Sequence, residues 1–97
     1  MKSEHKYRLI LTETTENSEM KSITLDFQDR EDIFKILNKM KEKTDLSSND
    51  SIKLGIGLRL LGPMLMQARK HPLFVDFFPH FRLFMMKLKK TDKLNPA

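Results

Sequence analysis

The sequence predicts an α+β fold: an N-terminal two-stranded antiparallel hairpin packed on three C-terminal helices, in the order ββααα, with the last helix broken near Pro79. Three observations carry this. Two runs before Asp29 alternate apolar and polar residues, the period of a strand with one buried face. Three runs after Asp29 repeat apolar residues at spacings of three and four, the period of a helix. Prolines at 72 and 79 then interrupt the last stretch.

The first strand covers residues 6–13, with Tyr7, Leu9 and Leu11 on one side and Lys6, Arg8 and Thr12 on the other, joined by Ile10. The second covers 22–27, with Ile23, Leu25 and Phe27 facing in. The polar, turn-forming link Thr14 to Met20 between them completes a hairpin. At Asp29 the period changes. Asp29 is placed to cap a first helix whose opening turn takes Glu31 and Asp32, where backbone N–H groups lack partners. Ile33, Phe34, Ile36, Leu37 and Met40 form its apolar stripe, and it runs about four turns to Thr44.

A polar connection, 45–50, offers Ser47, Ser48 or Asn49 as the cap of a second helix. Leu54, Leu58, Leu61, Leu65 and Ala68 make one stripe on it, and Ile56, Leu60 and Met64 a second. Apolar over so much of its girth, this helix is expected to be buried on several sides. Gly55, Gly57 and Gly62 each cost about 1 kcal/mol against Ala in a helix, so close packing is expected at them. Pro63 lacks an N–H and should bend the helix near Gly62. Pro72 suits the start of a new helix. Phe74, Phe77, Phe81, Phe84 and Leu88 follow as a helical seam, which Pro79 divides into a short turn and a longer helix. A frayed basic tail, 91–97, is expected to follow an ordered core of about 5–90.

Ninety-seven residues make one domain, 1–97, and 39% apolar with 32% charged content is globular rather than disordered. Without Cys there is no disulfide framework or thiolate chemistry. The N-terminus lacks a secretory h-region, and the longest apolar run, Leu54 to Met66, is broken by Arg59 and short of a membrane span of about 20 residues. From these features we expect a cytoplasmic protein with no membrane partner.

The net charge of +5 is uneven. Residues 1–50 hold nine Lys/Arg against eleven Asp/Glu, and residues 51–97 nine against two. A basic half of this kind marks either an acidic-partner or nucleic-acid face, or a solvated helix surface. Nucleic-acid binding would set aromatics among the basic residues, whereas the Phe residues here fall on the expected core seam.

Catalytic, cofactor and metal signatures are missing. Gly55-Ile56-Gly57 has no third glycine in register and no βαβ unit, so it is read as helix packing rather than a phosphate cradle. His5, His71 and His80 have no metal-ligand spacing. No serine sits in a nucleophile elbow, and no titratable pair is spaced as an acid and base. We expect no enzyme, no cofactor and no metal. His71 is read first as a cap at the Pro72 helix start. Arg69, Lys70 and His71 form a basic corner closing the second helix and, with Arg59 and Arg82, are the candidate partner-binding residues; Lys87, Lys89 and Lys90 could extend the same basic face. The competing account is complementation of the helix dipole. The Phe/Met seam could also be a partner groove, although core packing is favoured.

Arg30-Glu31-Asp32-Ile33-Phe34, the Leu54 to Gly62 run, Arg69-Lys70-His71-Pro72-Leu73-Phe74 and Phe84-Met85-Met86-Lys87-Leu88-Lys89 together resemble a family of short bacterial proteins catalogued only as a domain of unknown function. The resemblance implies a small cytosolic α+β protein and supplies no activity or site. Pro63 departs from the helix former expected after Gly62.

The function these features favour is a non-enzymatic protein-interaction module. It is expected to form a homodimer, through a strand edge or the glycine-rich helix, and to meet an acidic protein partner. Weak, sequence-nonspecific nucleic-acid binding through the basic half is the alternative.

Overall fold

The computed structural model describes residues 4–16 and 21–91. Its elements are β1 (His5–Thr12), β2 (Ser22–Asp29), α1 (Ile33–Thr44), α2 (Ser48–Gln67) and α3 (Phe78–Lys90). The chain divides into two compact units, Met1–Asp32 and Ile33–Ala97. The centre of the expected turn, Asn17-Ser18, lies outside the described residues, as does the expected tail beyond Thr91.

In the first unit β1 and β2 pair antiparallel, with Tyr7 opposite Phe27, Leu9 opposite Leu25 and Leu11 opposite Ile23. This register puts all six apolar side chains on one face, as the alternation requires. Tyr7 and Phe27 stack across the strands at 5.5 Å. Burial fades along the face: Tyr7, Leu9 and Phe27 are half-buried, while Leu11 is 70% and Ile23 66% exposed.

The first helix starts later than the sequence suggests. Asp29 ends β2, buried, and its carboxylate accepts the Glu31 N–H at 2.9 Å. That local turn competes with a helix start, so residues 30–32 bend and α1 begins at Ile33 with just over three turns. Its end is well built. The Thr44 hydroxyl donates to the Met40 carbonyl at 2.7 Å and accepts from Leu46 N–H, and Asp45 takes a left-handed φ of 60°, the usual backbone exit from a helix.

The Ser47 hydroxyl caps α2, accepting the Asp50 N–H at 3.1 Å. The helix runs on through Pro63, whose ring nitrogen has no hydrogen to offer the Arg59 carbonyl. Pro72 starts no helix. Residues 71–77 form successive turns, with His71 and Phe74 carbonyls each taking two N–H groups. Pro79 lies in the first turn of α3, so the seam divides there into the turns of residues 71–77 and a longer helix, as the sequence predicts.

α1 packs on α2. The buried apolar residues of this unit are Ile33, Met40, Leu65 and Phe81. The expectation that α2 is covered on several sides fails: Ile52, Leu61, Met64 and Met66 are 37–53% exposed. The reason is that α1 lies along one side of α2, while α3 meets it at Phe81 beside Gly62 and leaves a groove open between them.

The three glycines of α2 are not equivalent. A Cβ at Gly55 would collide with the Leu37 side chain of α1, at Gly62 it would make ordinary contact with Phe81 at 3.8 Å, and at Gly57 it would meet nothing within 4 Å. Gly57→Ala is therefore expected to stabilise the fold by about 0.5–1 kcal/mol, the helix-propensity gain. Gly55→Val should cost about 1–3 kcal/mol through overpacking. Urea unfolding followed by circular dichroism checks both; shifts of the same sign would refute the packing account.

Candidate functional site

A groove of about 840 Å³ opens between the three helices of the second unit. Each helix lends it one stripe. From α1 come Ile36, Lys39, Met40 and Lys43, spaced i, i+3, i+4 and i+7. From α2 come Leu58, Arg59, Gly62, Pro63 and Met66. From α3 come Phe78, Phe81, Arg82, Met85, Met86 and Lys89.

Its floor is apolar and soft. Met40 and Phe81 are buried at its base, while Met66 and Met86 stand about half exposed above them (53% and 50%). Its rim is basic, with Lys39, Lys43, Arg59, Arg82 and Lys89 against Glu42 alone among the lining residues. The groove is bridged at one end, where Lys43 Nζ donates to the Lys89 carbonyl at 3.0 Å. That carbonyl belongs to the last turn of α3, where a cation meets the negative end of the helix dipole.

Of the residues selected from the sequence, Arg59 and Arg82 are brought together in this groove although 23 positions apart. Arg69, Lys70 and His71 lie elsewhere, on the exposed turns after α2. Arg69 Nη1 donates to the Met66 carbonyl at 3.0 Å, closing the last turn of α2. The His71 ring accepts the Leu73 N–H on Nδ1 at 3.0 Å and lies 5.8 Å from the Phe74 ring. His71 thus caps a turn and not a helix, because the residues after Pro72 are not helical.

Lys39 and Lys43 also line the groove but were not selected from the sequence, whereas Lys89 was counted there with the basic face. Read along the chain, Lys39 and Lys43 are solvent-side lysines of an amphipathic helix; only the meeting of α1 and α3 at one end puts them on one rim with Lys89. The Phe/Met seam did signal the site. Phe81, buried, and Met85, half-buried, line the groove, whereas Phe77 and Phe84 are 45% and 43% exposed and lie outside its lining.

Other features offer less. Ser51 Oγ is buried with no hydrogen-bond partner, out of reach of a substrate. Among the described residues, no group of three or more His, Cys, Asp or Glu is placed to hold a metal. On the hairpin, Arg8 makes a two-pronged contact with Asp26, Nε to Oδ1 at 2.8 Å and Nη2 to Oδ2 at 3.1 Å. The hydrogen bond from Arg8 holds the Asp26 carboxyl below the usual range, and the same bond raises the guanidinium. Any support this gives the fold is present above the ordinary aspartate range and lost as acid protonates Asp26. Both side chains are well exposed, so solvent screens the pair.

No helix among the described residues is long and apolar enough to cross a membrane. Comparison with known proteins accords with this fold. The chain is similar to a protein of unknown function from Pectobacterium atrosepticum SCRI1043, solved by crystallography, with 36% identity and a TM-score of 0.80 over 92% of this chain and 100% of that one. No curated protein matches it. Residues 5–90 match the model of a domain of unknown function with a solved structure, DUF3861. A match over nearly the whole chain makes this protein a member of the DUF3861 family.

Proposed function

We propose that the chain is a cytoplasmic, non-enzymatic protein-interaction module that presents the helical groove to an acidic protein partner. The observation that carries this is the groove itself, an open apolar floor inside a nearly all-cationic rim. Residues 33–91 hold 12 Lys/Arg against four Asp/Glu, so an acidic surface is attracted from a distance as well as at contact. Affinity purification with the full chain and with the Lys39→Glu, Arg82→Glu double variant tests it. Acidic proteins held by the parent chain and lost by the variant are expected. Partners that survive the charge reversal but are lost on alanine substitution at Arg69 and Lys70 would move the surface to the corner. Nucleic acid in place of protein, released steeply by salt, would favour the alternative, for which exposed Phe77 and Phe84 on the basic side of the chain speak.

The same module pairs with a second copy through its hairpin. A two-stranded sheet keeps two open edges and is marginal alone. The strands are electrically balanced, Lys6 and Arg8 against Asp26 and Asp29, so two hairpins do not repel. The strongly basic helices do, which directs self-association to the strands. Sedimentation at tens of micromolar should give a dimer, and the Leu11→Lys, Ile23→Lys double variant should weaken it by about tenfold or more through like-charge repulsion. A monomeric parent chain would remove the dimer.

A further inference from the structure

We infer that the groove receives one amphipathic α-helix of the partner, acidic along both flanks of its apolar stripe, which completes the three helices as a fourth. This rests on the interaction-module reading and adds to it the shape and chemistry of the occupant.

The geometry selects a helix. Three helices each turn an apolar stripe to a common open channel, and a helix supplies the matching stripe at the same three-and-four spacing. An extended peptide would want a free strand edge, and the helical unit has none among its described residues. A small amphiphile would want enclosure of most of its surface, whereas Met66 and Met86 stand half exposed along an open groove. The lining suits a foreign surface: Met40, Met66, Met85 and Met86 are four of the chain's seven methionines, and unbranched thioethers repack around whatever ridge is offered.

Charge selects the acidic flanks. Lys39 and Lys43 stand on the α1 bank and Arg82 and Lys89 on the α3 bank, so both sides of the inserted helix face cations. A second copy of this chain is a poor occupant, because its own helices would bring lysines to lysines. The Lys43–Lys89 contact also orients the guest. It brings the C-terminal ends of α1 and α3 together, so negative dipole ends and two ammonium groups lie at one end of the channel. The guest's N-terminus, positive by its dipole and acidic in its first turn, fits that end.

The test uses the full chain with methyl-labelled methionines and a phage-displayed library of amphipathic helical peptides, whose flank positions vary among Glu, Gln and Lys. Selected peptides should carry Glu on both flanks and shift the methyls of Met40, Met66, Met85 and Met86. Arg82→Glu, at an exposed position that should fold normally, should weaken them about tenfold or more, and Met86→Glu should do the same. A spin label on the peptide N-terminus should broaden Met40 and Met85 before Met66. Selected peptides with basic or neutral flanks, the reverse broadening order, or saturable shifts from dodecanoate with none from peptides would each overturn the inference. Peptides that bind but shift none of the four methyls would overturn it while leaving the interaction module standing. If neither peptides nor cellular proteins bind, the module falls as well.

Discussion

Replacing Leu65 with alanine is expected to destabilise the protein by about 2–5 kcal/mol, the range for emptying a buried leucine site. Leu65 is 0% exposed, the largest fully buried side chain among the described residues. Its loss removes both the transfer energy and the contacts around the void. In a small domain each kcal/mol moves Tm by about 4–8 °C, so the melting temperature should fall by about 10 °C or more. Urea unfolding followed at 222 nm measures this. Leu61→Ala, at a position 37% exposed, serves as the control and should cost clearly less. Equal costs at the two positions would mean that the core is not centred on Leu65.

Phe81→Ala should cost about 3–5 kcal/mol, and its effect should be local. Phe81 is the buried residue of α3, its ring edge 3.8 Å from where a Gly62 side chain would begin and its centroid 6.0 Å from that of Phe77. With α1 and α2 packed on each other, Phe81 is the main anchor that keeps α3 at the groove. Hydrogen exchange should therefore show the amides of α3 losing protection before those of α1 and α2, since weakly packed segments open first. Uniform loss across all three helices would show that α3 is an integral part of one core. The substitution should also abolish groove binding, because one bank of the channel would no longer be held in place.

Much of the fold was legible along the chain. Alternation in KYRLILT and SITLDF identified both strands and the face they share, because strand side chains repeat every two residues regardless of context. A cap among Ser47, Ser48 and Asn49 and the division at Pro79 were legible for a similar reason: capping and proline stereochemistry are local. Errors arose where a local signal had two outlets. Asp29 could cap a helix or close a turn, and it closes a turn. Pro72 could open a helix, yet the carbonyls of His71 and Phe74 are consumed in turns. The apolar girth of α2 indicated what ought to be covered but not whether this chain supplies the cover.

The candidate site was legible only in part. Arg59 and Arg82 were picked as cations in the basic half, and the Phe/Met seam as a possible groove, yet nothing in their spacing joined them. Lys39 and Lys43 looked like ordinary solvent-side lysines. Periodicity and capping chemistry are encoded in neighbours a few residues apart, so element type, order and the apolar faces follow from the chain alone. Which apolar faces close on each other, and which stay open inside a ring of cations, depends on contacts between residues tens of positions apart. Only the packing of α1 on α2, with α3 meeting them at Phe81 and Lys89 around an open groove, decides that.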